Sequence, residues 1–416
     1  MFPMGARYGI VQRVMNAAAR RPARPLQGYR VLEVAHLIAG PVCGMYLADM
    51  GADVIKVEEP GKGDASRSVY QVTLNGEGPL YITVNRNKRG IALDLSAPDG
   101  RQVFYRLAER ADVVIEAYRG GVAERLEIDY ERLSRLNPRL IYCSLSAFGP
   151  EGPWREKPGL DALVQAMSGL MAITGEPDGG PALCGAPVVD TIGSLLAVQG
   201  VLTALLHREK TGEGQKVDVS LLDGALLAHA ARLSVFHLTG EDLPRLGSAH
   251  PELVPYQAFR ARDGWIFVAV RTDQLWRSFC GAIGRPGLAT DPRFATKADR
   301  LARRKELVPM LDVVFPSRTV GEWMEVLEAA DVLCAPVNNY SDMVKDPQVV
   351  ASGMIAEQDH PKGGRFKTIG IPVKLAKSPG RILTPAPALG EHTDQVLREA
   401  GYGDAEIQSL HRRGVI

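Results

Sequence analysis

The segment Thr174-Gly175-Glu176-Pro177-Asp178-Gly179-Gly180-Pro181 puts an acid at a loop tip with two glycines directly after it. Glycine leaves the neighbouring backbone uncovered, so N–H groups there can approach a reacting carbonyl and stabilise an oxyanion. A carboxylate in that setting can act as a nucleophile and form a covalent acyl intermediate. Pro-Asp-Gly is also a common turn tripeptide, and as an isolated signal it reads as an ordinary turn. A second possible chemistry is nucleotide binding, because a strand, a turn and a helix lead to a strand ending in Glu58-Glu59, where a ribose-binding acid would sit. The turn, however, reads His36-Leu37-Ile38-Ala39-Gly40-Pro41 and not GxGxxG. Without the first two glycines the backbone cannot approach a pyrophosphate in the usual way, so no nicotinamide or flavin cofactor is expected.

Other strong motifs are absent. There is no GxxxxGK[ST], HExxH, GxSxG or EF-hand pattern. The eight histidines include no i, i+4 pair, which leaves a histidine metal site unsupported. The five cysteines (Cys43, Cys143, Cys184, Cys280 and Cys334) are far apart and form no CxxC, as suits a reducing compartment.

The elements that must position these residues alternate between strand and helix. Arg30 to Ala35 reads as a buried strand, Pro41 to Met50 as a helix closed by Gly51, and Asp53 to Glu58 as the next strand. Further strands are expected at Ile91 to Leu95, Asp112 to Glu116, Arg139 to Leu145 and Lys216 to Ser220. Helices are expected at Gly100 to Arg110, Tyr130 to Leu136, Leu160 to Ile173, Val188 to Lys210 and Leu221 to Leu238. Alternation on this scale predicts an α/β fold with a large, Rossmann-like doubly wound domain. After Gly240, the runs Tyr256 to Arg260 and Trp265 to Arg271 flank Arg-Asp-Gly as a hairpin. With helices near Gln274 to Ile283 and Val320 to Ala329 they read as a smaller α/β domain over 245–335. The stretch 350–390 reads as Pro/Gly-rich and extended, and helices at Thr393 to Ala400 and Ala405 to Arg412 close the chain.

Composition excludes several classes. The 416 residues carry a net charge of +1, which argues against a dedicated nucleic-acid binder. No membrane span is expected, because Asp190 and Gln199 interrupt the most apolar stretch, Val188 to Leu206. Residues 1–25 carry five arginines and no acid. They read as a basic N-terminal arm of a cytoplasmic protein, or alternatively as a transit peptide to the mitochondrial matrix.

The order and spacing of several stretches resemble the class III CoA-transferases, the CaiB/BaiF or formyl-CoA/carnitine CoA-transferase family. They are GYRVLEVAHLIAGPVCGMYLADMGADVIKVE, NRNKRGIALDL, ADVVIEAYRGGVAERLEIDYERLSRLNPRLIYCSLSAFGPEGPW, QAMSGLMAITGEPDGGP, REKTGEGQKVDVSLLDGAL and LGEHTDQVL. The resemblance implies a large α/β CoA-binding domain at 26–240, a small domain, and a linker and C-terminal return at 336–416. It also implies an interlocked homodimer and an exchange of CoA between an acyl-CoA and a free carboxylic acid. No permanently bound cofactor or metal is implied, since the CoA thioester is a substrate. By its flanking residues Asp178 takes the place of the family nucleophile, which passes through an aspartyl mixed anhydride and an aspartyl-CoA thioester.

CoA contacts implied by the resemblance fall on Ile38, Ala39, Leu93, Ala117, Tyr118, Arg119, Arg125, Ser146, Ala147, Phe148 and Gly149, with Lys88-Arg89 nearby. A lid falls on Gly247, Ser248, Ala249 and His250. There are departures: Ile38 stands where some members place a glutamine, Glu59 where some place an arginine, and the lid reads LGSAHP and not a run of glycines. These bear on the substrate more than on the reaction. The same family contains α-methylacyl-CoA racemases, which use a His-Asp pair where this chain reads Leu160-Asp161, and a second acid matched by Asp190. That acid is present in transferases too, and without the histidine one acid–base group for α-proton exchange is missing.

Overall fold

The structure, a computed structural model, describes residues 24–416, so the basic arm at 1–25 lies outside the described residues except for its last two. Six strands form a parallel sheet in the order β3-β2-β1-β4-β5-β6. They are β1 (Arg30–Val34), β2 (Asp53–Glu58), β3 (Lys88–Ala92), β4 (Val113–Glu116), β5 (Ile141–Ser146) and β6 (Gln215–Ser220). β1 pairs with β2 on one side and with β4 on the other. The chain therefore winds outward from β1 in one direction and returns to wind in the other. That reversal opens a crevice at the carboxyl ends of β1 and β4, where open α/β sheets bind ligands.

The helices follow the apolar pattern. The first is α1 (Ala39–Asp49), followed by α2 (Pro98–Ala108) and α3 (Tyr130–Leu136). Next come α4 (Asp161–Met167), α5 (Val188–Thr211), α6 (Leu221–Ala228) and α7 (Ala230–Thr239). The C-terminal helices are α8 (Thr393–Glu399) and α9 (Asp404–Arg412). Val396, Leu397, Ile407 and Leu410 from α8 and α9 join Leu32, Ile55, Phe104 and Val114 in one buried cluster, so the end of the chain completes the core of the sheet.

Several elements differ from the sequence reading. The helix expected over Leu160 to Ile173 is only α4, because Gly169 adopts the left-handed conformation and stops it (φ 87°). The long helix expected from Leu221 divides at His229 into α6 and α7. The expected hairpin, β7 (Tyr256–Arg260) and β8 (Trp265–Ala269), gains a short third strand, β9 (Leu333–Pro336). The stretch 350–390 contains an antiparallel hairpin, β10 (Ile355–His360) and β11 (Gly364–Ile369), whose polar sequence gave no apolar alternation to read. By length and composition α5 could cross a membrane. Its buried residues, Val189, Gly193, Ala197, Val201 and Ala204 among them, make it a core helix of the sheet domain.

The described chain divides into two compact units. The first holds 24–168, 185–230 and 351–416, and the second holds 169–184 and 231–350. The second unit has its own core, in which Phe259 stacks on Phe315 at 4.4 Å and Trp276, Phe279 and Trp323 are buried. The loop of Asp178 groups with this second unit, whereas the sequence reading puts it in the large domain.

Candidate active site

A cleft of about 360 Å³ opens at the carboxyl ends of β4 and β5, lined by Glu116, Tyr118, Arg119, Ser146 and Gly149. Tyr118, Arg119 and Ser146 also line a smaller recess of about 140 Å³. His36, Ile38 and Ala39 from the turn after β1, Ala117 from the turn after β4, and Ala147 complete its wall together with Asp190. Seven positions singled out for CoA in the sequence (Ile38, Ala39, Ala117, Tyr118, Arg119, Ser146 and Ala147) thus meet around one recess at the switch point of the sheet. Tyr118 sits on the wall shared by both spaces, and burial pushes its hydroxyl up to about 12, so it is a neutral aromatic surface.

The acid in this recess is Asp190. It stands in the first turn of α5, and its side chain is half-buried. The helix start is held by Asp161, whose Oδ2 accepts from Val189 N at 2.8 Å and Asp190 N at 3.1 Å. Asp161 Oδ1 in turn accepts from Gln165 Nε2 at 2.6 Å. Burial first, and then the neighbouring charge of Asp161, raise the Asp190 carboxyl to about 7. A carboxylate poised near neutrality can serve as a nucleophile or as an acid–base group. Glu116, deeper in the larger cleft, is likewise raised to about 7 by burial, against hydrogen bonds from Ser144 and from Tyr118 N.

The remaining residues expected at the site do not line this recess. Asp178 is exposed on a loop of the second unit, and its carboxylate makes no hydrogen bond or ion pair with any described residue. Both recesses are lined by first-unit residues. Leu93 is a core residue, 1% exposed, whose N–H donates to Glu58 O. Lys88 is buried against Glu33, and Arg89 is paired with Asp53 and Glu399, so neither presents a free cation. Phe148 packs edge-on against Trp154, and Gly149 lines the larger cleft. Arg125 is exposed at the end of a short helical turn, with its guanidinium near Gly121.

The expected lid residues belong to the second unit. Gly247 N donates to Gly175 O at 2.8 Å, and Arg245 Nη2 donates to Gly179 O at 2.8 Å, so the LGSAHP segment is tied to the loop of Asp178. Ser248 Oγ accepts from Ala258 N, and the His250 ring stacks on Tyr256. In the sequence Asp190 stands as an acid shared by racemases and transferases and as an interruption of the most apolar stretch, not as the nucleophile. The signal available for it was its place at the start of the longest apolar helix, just beyond a Gly/Pro-rich loop. Glu116 could not have been found, because a terminal strand acid in a buried run looks like any strand end.

The sequence profile of CoA-transferase family III matches residues 26–393. The chain is 38% identical to a succinate–glutarate CoA-transferase of Agrobacterium fabrum (strain C58), over 94% of this chain and 98% of the relative. It is 35% identical to the succinyl-CoA:glutarate CoA-transferase of Mus musculus, over 94% and 90% of the two chains. Among solved structures, a CAIB/BAIF family protein from Brucella suis is 34% identical with a TM-score of 0.83, covering 91% of this chain and all of that one.

Proposed function

We propose that this chain, which belongs to CoA-transferase family III and is a CoA-transferase, exchanges CoA between carboxylic acids through covalent intermediates on Asp190. The observation that carries the reading is the position of Asp190. It is the carboxylate that shares a recess with Ile38, Ala39, Tyr118 and Ser146. That place suits the nucleophile better than the exposed loop of Asp178 does.

The steps balance without an outside oxidant or proton. The Asp190 carboxylate attacks the thioester carbonyl and expels CoA thiolate, giving a mixed anhydride. The thiolate then attacks the aspartyl carbonyl, releasing the donor carboxylate and leaving an aspartyl-CoA thioester. An acceptor carboxylate attacks that thioester and again frees the thiolate. Attack of the thiolate on the acceptor's acyl carbonyl yields the new acyl-CoA and returns Asp190 as a carboxylate. Burial of Asp190 removes solvating water from the nucleophile, and Tyr118 offers an aromatic face to the CoA base.

One relative is named for succinyl-CoA and glutarate and the other for succinate and glutarate, and succinate and glutarate are dicarboxylic acids. Arg119, Arg155 and Lys157 border the recess, and cations there suit an anionic acyl group or acid, so we extend the proposal to dicarboxylic acids as substrates. The racemase reading has less support, because the histidine position is Leu160 and Asp161 is committed to capping α5. We also propose a homodimer. Leu195, Leu202 and Leu206 of α5, and separately Phe236 and Leu238 of α7, are exposed apolar side chains, and Leu238 reaches 87%. Such faces are normally covered by a partner.

The test is a CoA-exchange assay with a panel of acyl-CoAs and free acids, followed by hydroxylamine treatment and peptide mapping. Asp190 should be recovered as its hydroxamate. Hydroxamate on Asp178, with none on Asp190, would overturn the assignment.

A further inference from the structure

Four charged side chains are buried behind the recess and take no part in the proposed chemistry. Lys56 and Glu33 are fully buried, Asp64 is 1% exposed and Lys88 is 2% exposed. Lys56 Nζ donates to Glu33 Oε1 at 3.0 Å and to Ala35 O at 2.7 Å, and it meets Asp64 Oδ2 at 2.8 Å. Lys88 Nζ meets Glu33 Oε2 at 2.7 Å and donates to Pro41 O at 2.8 Å and Asn85 Oδ1 at 2.7 Å. Each ammonium therefore has three acceptors for its three N–H bonds, and Glu33 bridges the two lysines.

Buried ions are costly to desolvate and are weak evidence of stabilisation. Their backbone contacts are more informative. Lys56 holds the carbonyl of Ala35 at the entry to the turn after β1. Asp64 Oδ1 accepts from Leu37 N in its middle, at 3.0 Å. Lys88 holds the carbonyl of Pro41 just beyond it. Leu37 has φ 64°, a left-handed conformation that a branched, bulky residue adopts only when its surroundings impose it. The neighbouring glycines leave no slack. A Cβ at Gly40 would lie 2.3 Å from Ala35 Cβ, and one at Gly44 would lie 1.9 Å from Glu33 Oε2.

We propose that Glu33, Lys56, Asp64 and Lys88 form a backbone clamp that holds residues 35–41 in the strained turn presenting Ile38 and Ala39 to the recess of Asp190. Asp64 is then a positioning residue for CoA transfer. The inference rests on the assignment of the recess as the site of transfer. The clamp supplies what an apolar core could not, namely polar partners for the Ala35 carbonyl, the Leu37 N–H and the Pro41 carbonyl where the chain passes from β1 into α1. A displacement of about 1 Å at a reacting group can cost on the order of 100-fold in rate, so the turn is worth fixing.

Asp64→Ala removes the acceptor of Leu37 N, whereas Asp64→Asn keeps an oxygen for it and loses the charge and the acceptor facing Lys56. Three readouts are needed: kcat and KM for acyl-CoA, thermal unfolding, and hydrogen exchange of the peptide covering residues 36–42. In Asp64→Ala, kcat should fall 10- to 100-fold with KM within about threefold, and the 36–42 amides should lose protection while those of β5 keep theirs. Asp64→Asn should recover part of the kcat loss, which a general loss of stability would not produce at a temperature where both variants are folded. If Asp64→Ala does not fold, Asp64→Asn decides alone: a kcat within twofold of the wild type and unchanged exchange overturn the clamp. Asp190→Asn in the same assay separates the two ideas. Activity retained there refutes the assigned site, while protection retained in both Asp64 variants refutes the clamp.

Discussion

Replacing Asp161 with asparagine should move the pH dependence of CoA transfer toward acid. Asp190 is raised from 3.8 to about 7, first by burial and then by the charge of Asp161. A nucleophile must be ionised, so the rate should climb with pH and level off above the midpoint. With a midpoint near 7, about 10% of the enzyme is ionised at pH 6, about half at pH 7 and about 90% at pH 8. The wild-type kcat/KM should therefore rise roughly tenfold from pH 6 to pH 8, where an aspartate of ordinary pKa would give a flat profile. The asparagine side chain keeps an oxygen for Val189 N and Asp190 N, so the start of α5 stays capped while one cause of the shift disappears. Burial is the larger cause and remains, so the midpoint should fall without reaching the ordinary aspartate value. The gain at pH 6, relative to each enzyme's own plateau, is bounded at about tenfold, the ratio of full to wild-type ionisation. Glu116 also lies near 7, so Glu116→Gln is the control and should leave the midpoint in place. The assay is initial-rate exchange across pH 5.5 to 9 at subsaturating acyl-CoA. A flat wild-type profile, or an Asp161→Asn midpoint equal to the wild type's, would refute the account.

Asp190→Ala should abolish exchange, while Asp178→Ala should retain most of it, since an exposed loop acid with no polar partner among the described residues holds none of them in place; steady-state kinetics of the two variants decides. Arg125→Ala should raise KM for acyl-CoA by about 10- to 100-fold, the worth of one charge-assisted bond to a phosphate, and an unchanged KM would remove Arg125 from the CoA site. Asp64 is held below the usual carboxylate range because Lys56 outweighs the effect of burial. Its share of stability is therefore present above about pH 4 and lost as pH falls through its folded value, so acid unfolding of Asp64→Asn should be less steep below pH 4 than that of the wild type. Light scattering should give about twice the chain mass down to nanomolar concentration, and an active monomer would rule out an obligate dimer.

Much of the sheet domain is legible in the sequence because its strands are buried on both faces. Runs such as Val31 to Val34 and Val113 to Ile115 carry their own signal, and Gly51 marks the end of α1. The hairpin β10–β11 is hidden for the opposite reason. Its residues, Ile355–His360 and Gly364–Ile369, are mostly polar and paired with each other, so no periodicity betrays them. The break at His229 is equally silent, since the apolar residues on either side continue a helical pattern across it. The turn residues at the recess were found through motif order, and the structure supplies what order cannot: three different strand ends bring them to one place.

The two acids illustrate where motif reading stops. Asp178 has the surroundings a nucleophile would be expected to have, a loop tip followed by bare glycines, and those same features describe an exposed turn. Asp190 sits in an apolar helix, where an acid reads as an interruption. What separates them is environment. A carboxylate withdrawn from water beside a second acid is raised toward neutrality, as Asp190 is. Asp161 acts in two ways at once: its charge raises Asp190, and its oxygen fixes the backbone that carries it. The charge cluster behind β1 does the corresponding work for the opposite wall, fixing Leu37 and its neighbours through three contacts to the backbone. Both walls of the recess are thus held by carboxylates accepting from backbone N–H groups. That is a relation between residues distant in sequence, and it becomes visible only once the sheet has brought them together.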